Sequence, residues 1–296
     1  MENLGPSDVQ AISSPSRGHA EEIMIELARQ LTNNNKPPPL AFEEVPPQEL
    51  RAFGGSDSCR TADSALYGQS AVAQARDQDP AKERLQRDVL NMVNLPRGLC
   101  IIIDNFNYRG SGLRRDGSEK DGREMVRLFT SCDFECLLGT HMIASEMKLF
   151  LSVAAQSAHE RTDCLVVVLM SHGTTEMIHA ADNVPLHLDD DICALFNNEN
   201  CPGLQGKPKL FFIQACRGGK EDNATGTTAY ESADDMAMAA EAPQTLRRER
   251  TATWSDMYTA YAMIPGYKAS MNRMIGSWFL SALYRVFTEH TGTMHL

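Results

Sequence analysis

Apolar and polar positions along this chain change character near residue 96. Beyond it, residues 99–103 form an unbroken apolar run rich in β-branched side chains, the pattern of a strand covered on both faces. Residues 134–138, 164–170, 209–214 and 257–263 repeat it and predict four more strands. Helical spacing lies between them. Asp121 and Glu124 read as a capping pair ahead of Met125, Leu128 and Phe129 on one face. Ser145 opens a segment carrying Met147, Phe150 and Leu151; residues 189–196 predict a short helix; residues 277–287 align Phe279, Leu283 and Phe287. Alternation of strand and helix predicts an α/β fold with a mostly parallel central sheet flanked by helices on both faces.

The first 95 residues lack that rhythm. Pro37-Pro38-Pro39, Pro46-Pro47 and Gly54-Gly55 break the chain. Two helical stretches remain, 21–31 with Ile23, Leu27 and Leu31, and 81–92 with Leu85, Val89 and Met92. Two short helices enclose no core, so residues 1–95 read as a leader, largely disordered. Residues 218–253 carry no apolar seam either, and an insert of that length inside a domain tends to be functional. The expected organisation is a leader (1–95), a first ordered block (96–217), a flexible insert (218–253) and a closing block (254–296).

Composition narrows the function. The net charge of −11 gives no electrostatic basis for gripping nucleic acid. The apolar runs fall short of the roughly 20 residues that a membrane-spanning helix needs. The polar N-terminus has neither the basic head nor the apolar middle of a secretory signal. Eight cysteines without such a signal read as reduced thiols in a cytoplasmic protein. Cys132 and Cys136 have no second pair at ligand spacing, so no metal is expected, and no cofactor motif is present.

The chemistry stands at two strand ends. The 164–170 strand runs into Ser171-His172-Gly173, and the 209–214 strand into Gln214-Ala215-Cys216-Arg217-Gly218. In open α/β sheets the functional crevice lies beyond the carboxyl ends of the strands. Alone, His172 is more readily a turn residue and Cys216 a buried apolar side chain. Together at matching ends they fit a nucleophilic thiol and the imidazole that handles its proton. The backbone N–H groups of Gly173 and Cys216 are then placed to face a developing oxyanion.

Gln214-Ala215-Cys216-Arg217-Gly218, with Ser171-His172-Gly173 upstream, resembles the active-site signature of caspases. The likeness runs over about 97–287. It takes in Arg115-Asp116-Gly117-Ser118, Pro265-Gly266-Tyr267 and Gly276-Ser277-Trp278-Phe279. It implies a zymogen whose large-subunit region (96–217) and small-subunit region (254–296) are separated by cutting the linker 218–253. It also implies a dimer, cleavage of protein substrates after aspartate, and a role in apoptosis or related signalling. Arg115 and Gln214 match positions that hold the aspartate carboxylate in that family. A planar guanidinium suits that task, since its fork of donors matches a carboxylate.

Two features depart from the family pattern. Met271 stands where an ungapped match places a second arginine, and Ser270 replaces a bulky apolar residue. Losing one charge-assisted bond costs about 2–4 kcal/mol, roughly 30- to 1000-fold in rate. Arg273 lies two positions on. The chain also ends at Leu296, short of the helix and pairing strand usual in the family, which predicts an open sheet edge. Asp222, Asp234 and Asp235 are candidate processing sites in the linker; Asp57, Asp63, Asp77 and Asp79 are weaker ones in the leader. The leading expectation is a caspase-like endopeptidase, weakened by Met271, working as a homodimer or as a heterodimer with another caspase. The alternative is a catalytically poor homologue that regulates an active caspase by pairing or as a decoy.

Overall fold

A strand that is apolar at every position needs cover on both faces, and the sheet of this protein has it. The computed structural model describes residues 8–12, 19–33, 40–42, 92, 94–110, 114–157, 159–220 and 252–290. In chain order the first strands are β1 (Asp8–Ile12), β2 (Leu40–Phe42), β3 (Gly98–Asp104), β4 (Phe134–Thr140) and β5 (Cys164–Met170). A short antiparallel hairpin, β6 (Met177–His179) with β7 (Pro185–His187), precedes β8 (Lys209–Gln214) and β9 (Met257–Tyr261). A two-residue ladder, β10 (Met271–Asn272) with β11 (Gly276–Ser277), comes last. The helices are α1 (His19–Asn33), α2 (Ser118–Ser131), α3 (Ala144–Gln156) and α4 (Trp278–His290).

The sheet order is β2-β1-β4-β3-β5-β8-β9, and β4, β3, β5, β8 and β9 all run parallel. All five lie where the apolar runs predicted strands, although the last ends at Tyr261 rather than at 263. Successive side chains alternate between two cores. Leu99, Ile101, Leu165, Val167, Phe211 and Ile213 pack with α1 and α3. Cys100, Ile102, Val166, Val168 and Phe212 pack with Met125, Leu128 and Phe129 of α2 and Leu280 of α4. Helices therefore cover both faces, as expected. Among the described residues β9 is the outer strand on its side of the sheet, and none of the helices is long and apolar enough to cross a membrane.

Two local expectations need correction. Asp121 does not cap a helix, because α2 starts three residues earlier, at Ser118. It is instead buried, and both its oxygens accept from the Ser277 N–H at 3.0 and 2.9 Å, tying α2 to the entry of α4. The helix starts early because Gly117 adopts φ 95°, and a Cβ there would also meet Asn272 O at 2.8 Å. Residues 189–196 form no α-helix. They resolve into a π-type turn (Leu188–Ile192) and a 3-10 turn (Cys193–Phe196), since Asp189, Asp190 and Asp191 leave no apolar stripe of helical length. α3 and α4 each begin within one residue of the expected start, and in α3 the Glu146 carboxylate accepts from the Ile143 N–H at 3.1 Å.

The helix predicted at 21–31 is α1, and its apolar stripe is not idle. Ala20, Ile23, Met24 and Leu27 are buried to 1% exposure or less in the core beside α3. The Ala20 N–H donates to the buried Glu135 carboxylate at 2.6 Å, and His19 Nε2 meets Ser157 Oγ at 2.7 Å. On the outer side of β4, β1 pairs antiparallel and β2 pairs parallel to β1. The second expected leader helix, 81–92, lies outside the described residues apart from Met92. So do Asp57, Asp63, Asp77 and Asp79, and Asp222, Asp234 and Asp235 of the linker.

Leu27→Ala should lower unfolding stability by about 2–4 kcal/mol in urea. Ile25→Ala, on the exposed side of the same helix, should change it by less than about 0.5 kcal/mol. Equal small effects would mean that α1 does not belong to the core.

Candidate active site

Parallel pairing of β5 with β8 sets Met170 opposite Gln214, and the Ser171 N–H continues the ladder to Gln214 O at 3.2 Å. Two residues further along each strand stand His172 and Cys216. Register alone gives them matching positions at the carboxyl rim of the sheet. The backbones stay close past the strand ends: a Cβ on Gly173 would lie 3.0 Å from Ala215 Cβ and 3.1 Å from Cys216 O. Cys216 is a free thiol, half-buried.

His172 is held from three sides. Its N–H donates to Tyr108 Oη at 2.7 Å, and its carbonyl accepts from the His179 N–H at 2.9 Å. Its ring leans on the Tyr108 ring, centroids 4.6 Å apart and tilted by 36°. Tyr108 Oη in turn donates to Asn105 O at 2.8 Å and lies 2.6 Å from Ser171 Oγ. His172 Nε2 is buried and has no hydrogen-bond partner among the described residues. Burial, then the Arg115 charge and His179, push the imidazole down to about 4. At neutral pH the ring is therefore uncharged.

Gly173 pairs with Ile178 of the hairpin in the wide arrangement. The bonds on either side run from His179 N–H to His172 O and from Thr174 N–H to Met177 O, so the Gly173 N–H turns away from the hairpin. Any side chain at 173 would sit 2.7 Å from Met177 O, so glycine alone fits.

Arg115 and Gln214 lie deep. The Arg115 side chain is 6% exposed. Its Nη1 donates to Ser118 Oγ at 2.8 Å and lies 3.4 Å from Asp104 Oδ1 and 3.5 Å from Asn105 O. Ser118 Oγ also donates to Asp104 Oδ1. Burial pushes Asp104 up to about 6, against the opposing pull of Arg115 and Ser118. Gln214 Oε1 is buried with no hydrogen-bond partner among the described residues. His172, Cys216, Arg115 and Gln214 thus belong to the ends of β3, β5 and β8 and the loops that leave them.

Met271, half-buried, pairs with Ser277 across the β10–β11 ladder. Arg273 is 86% exposed, and its Nε lies 3.3 Å from Asp116 Oδ2. Arg114 Nε holds the other oxygen of that carboxylate at 2.9 Å. Arg273, two positions from Met271, is therefore tied to a surface carboxylate.

Sequence reasoning missed Tyr108, Asp104 and the brace behind Cys216. The rule that pointed to residues 172 and 216, function at the carboxyl ends of strands, applies equally to the end of β3 and would have flagged 104–108. Arg217, Gly266 and Tyr267 of the brace stand in motifs the sequence singles out, but nothing in the sequence says that they meet. Arg217 N–H donates to Tyr267 O at 2.9 Å, its carbonyl accepts from Gly266 N–H at 2.6 Å, and its guanidinium stacks 3.9 Å above the Tyr261 ring.

Residues 97–296 match the family model described as Caspase domain. Caspase-7 of Gallus gallus is 34% identical over 196 residues, 65% of this chain and 61% of that protein. Caspase-9 of Homo sapiens is 33% identical over 216 residues, 66% of this chain and 52% of the relative. Caspase-3 of Xenopus laevis is 30% identical over 201 residues, 67% of each. The chain thus spans between half and two thirds of the length of these curated relatives.

His172 should titrate near pH 4 when its ring resonances are followed by NMR, with His172→Ala giving the assignment. Arg115→Gln removes the opposing positive charge and should raise that value, though not to the free-histidine range, because burial remains. A midpoint near the free value of about 6.5 in the unaltered chain would refute the closed environment described for the ring.

Proposed function

The chain belongs to the caspase family, and from that premise we propose that it is a cysteine endopeptidase that cuts protein chains after aspartate. One observation supports the reading: β5 and β8 pair in register up to Met170 and Gln214, two residues short of His172 and Cys216, and the buried His172 Nε2 has no hydrogen-bond partner among the described residues. In the proposed reaction neutral His172 takes the Cys216 proton. The sulfur then forms a bond to the scissile carbonyl carbon. Its oxygen becomes the oxyanion received by the N–H groups of Gly173 and Cys216. The C–N bond breaks, the amine leaves with the proton from the imidazolium, and water hydrolyses the thioester to restore the thiol. Arg115 and Gln214 hold the aspartate side chain: the buried fork binds its carboxylate, and the amide adds a neutral contact.

Maturation and partners follow the same proposal. The chain is made as a cytoplasmic zymogen of an apoptotic or related signalling pathway. Its large-subunit region, 96–217, and small-subunit region, 254–296, separate when the linker 218–253 is cut after Asp222, Asp234 or Asp235. It works as a homodimer or with another caspase, on protein substrates rather than nucleic acid or membrane. A second reading has its own support. Met271 offers a thioether where the family pattern has an arginine, and Arg273 is engaged at the surface by Asp116. That combination fits a weak protease that regulates an active relative by pairing or as a decoy.

The purified chain should hydrolyse a fluorogenic peptide ending in aspartate. Cys216→Ala should abolish the signal, and His172→Ala should reduce it by about 100- to 10,000-fold. Met271→Arg should raise kcat/KM by about tenfold to 100-fold. Equal rates from the unaltered chain and Cys216→Ala would end the protease reading. A change in the rate of an active caspase mixed with this chain would then favour the regulatory one.

A further inference from the structure

Arg115, to which the proposed function gives the substrate carboxylate, already has a carboxylate for company. Asp104 ends β3 with its side chain 2% exposed, and its Oδ1 stands 3.4 Å from Arg115 Nη1, which is itself buried. Ser118 Oγ bridges the two, accepting from Nη1 at 2.8 Å and donating to Oδ1. All the contacts of the guanidinium with Asp104, Asn105 and Ser118 run through Nη1. Among the described residues no hydrogen bond engages Nε or Nη2. The fork thus presents an open edge while its charge is matched from behind.

Such an arrangement is not neutral for binding. An incoming aspartate side chain brings a second negative charge to one buried guanidinium. Two carboxylates on one cation repel at short range with little water between them. We infer that Asp104 is a specificity-determining positioning residue: its carboxylate sets how much positive charge Arg115 can offer a substrate, and binding of an acidic side chain is linked to uptake of a proton at Asp104. The inference rests on the proposed role of Arg115 in holding that side chain.

The surroundings set the direction of the linkage. From α2 and its approach, Arg115 and Ser118 favour the ionised form of Asp104, while Asp121 and Glu119 oppose it. Tyr108, on the same loop, feels both Arg115 and Asp104. From the loop after β4, His141 contributes its backbone N–H to the Asp104 carbonyl at 3.3 Å. A Cβ on Gly122 would come within 3.4 Å of Oδ2, so α2 packs directly on the carboxyl and keeps it dry. Burial dominates and holds the group near 6. As pH falls through that value Asp104 takes up a proton, Arg115 loses its counter-charge, and an acidic side chain binds more tightly. As pH rises through it, binding weakens. The substrate aspartate, with an ordinary value near 3.9, stays ionised throughout that window.

Binding is best measured on the full chain carrying Cys216→Ala, so that turnover plays no part. The probe is a fluorescent peptide ending in aspartate, compared by anisotropy with the same peptide ending in asparagine. The aspartate peptide should bind about tenfold more weakly at pH 7.5 than at pH 5.5, and the asparagine peptide equally at both. Adding Asp104→Asn, which keeps shape and acceptor, should tighten the aspartate peptide by about tenfold at pH 7.5. It should also flatten the pH profile and leave the asparagine peptide unchanged. A purely structural role for Asp104 would weaken both peptides together. Calorimetry in two buffers of different ionisation enthalpy needs no change at position 104 and should show proton uptake with the aspartate peptide only. Affinity independent of pH, no proton uptake, or no binding of the aspartate peptide overturns the inference. Loss of the protease reading alone would look different: no Cys216-dependent hydrolysis, with pH-linked binding intact.

Discussion

The site depends on the in-register pairing of β5 with β8. Parallel strands joined by a long crossover bring residues 44 positions apart into one row, and the match of Met170 with Gln214 fixes that row. A shift of one residue would turn every side chain of a strand to the other face, exchanging one packed core for the other. The two alternating apolar sets of β3, β5 and β8 forbid that shift. Core packing thereby becomes a positioning device. The same side chains that hold the sheet together decide that a thiol and an imidazole share its rim.

Register brings residues near each other but does not orient them, and three braces finish the work. Tyr108 holds the backbone and ring of His172 at once. Arg217 pins the loop after Cys216 to the segment at Gly266 and Tyr267. Asp121 ties α2, which begins just past Arg115, to Ser277 and so to the ladder that carries Met271. Each brace joins pieces that are far apart in sequence, so the loops around the cleft act as one frame rather than as separate strand ends. That matters for chemistry at the rim, where small misplacements of a reacting group are costly in rate.

How much of this was legible in the sequence follows from how local each signal is. The five parallel strands and the two strand ends that lead to 172 and 216 were legible, because apolar runs and strand ends are properties of short segments; that β5 and β8 are neighbours in register was not. Arg115 and Gln214 were found through a family resemblance, and geometry then showed both to be buried. Asp121 was misread because a short acidic spacing looks the same whether the carboxylate caps its own helix or serves Ser277, 156 residues away. The turns at 188–196 were misread because an eight-residue window is too short to separate a helix from two tight turns. Tyr108 and Asp104 lie at and just past the end of β3, where the strand-end rule applies, but a tyrosine or an aspartate there does not by itself name its partner. Their meaning lies in the His172 and Arg115 that the fold places beside them.

Met271 and Asp104 bear on the same quantity from opposite sides. Under the proposed function, Met271 contributes no charge to the site, and Asp104 offsets the charge that Arg115 supplies. A pocket built on one guanidinium with a buried counter-ion holds an acidic side chain less firmly than one built on two free ones. Yet the buried arginine could not stand alone, since an unpaired buried charge costs more than a paired one. Asp104 and Ser118 stabilise Arg115 in the absence of substrate, and the same contacts must be offset when substrate arrives. Under the proposed function, the stability of the empty site and its affinity for an acidic side chain are therefore set against each other at one guanidinium, that of Arg115.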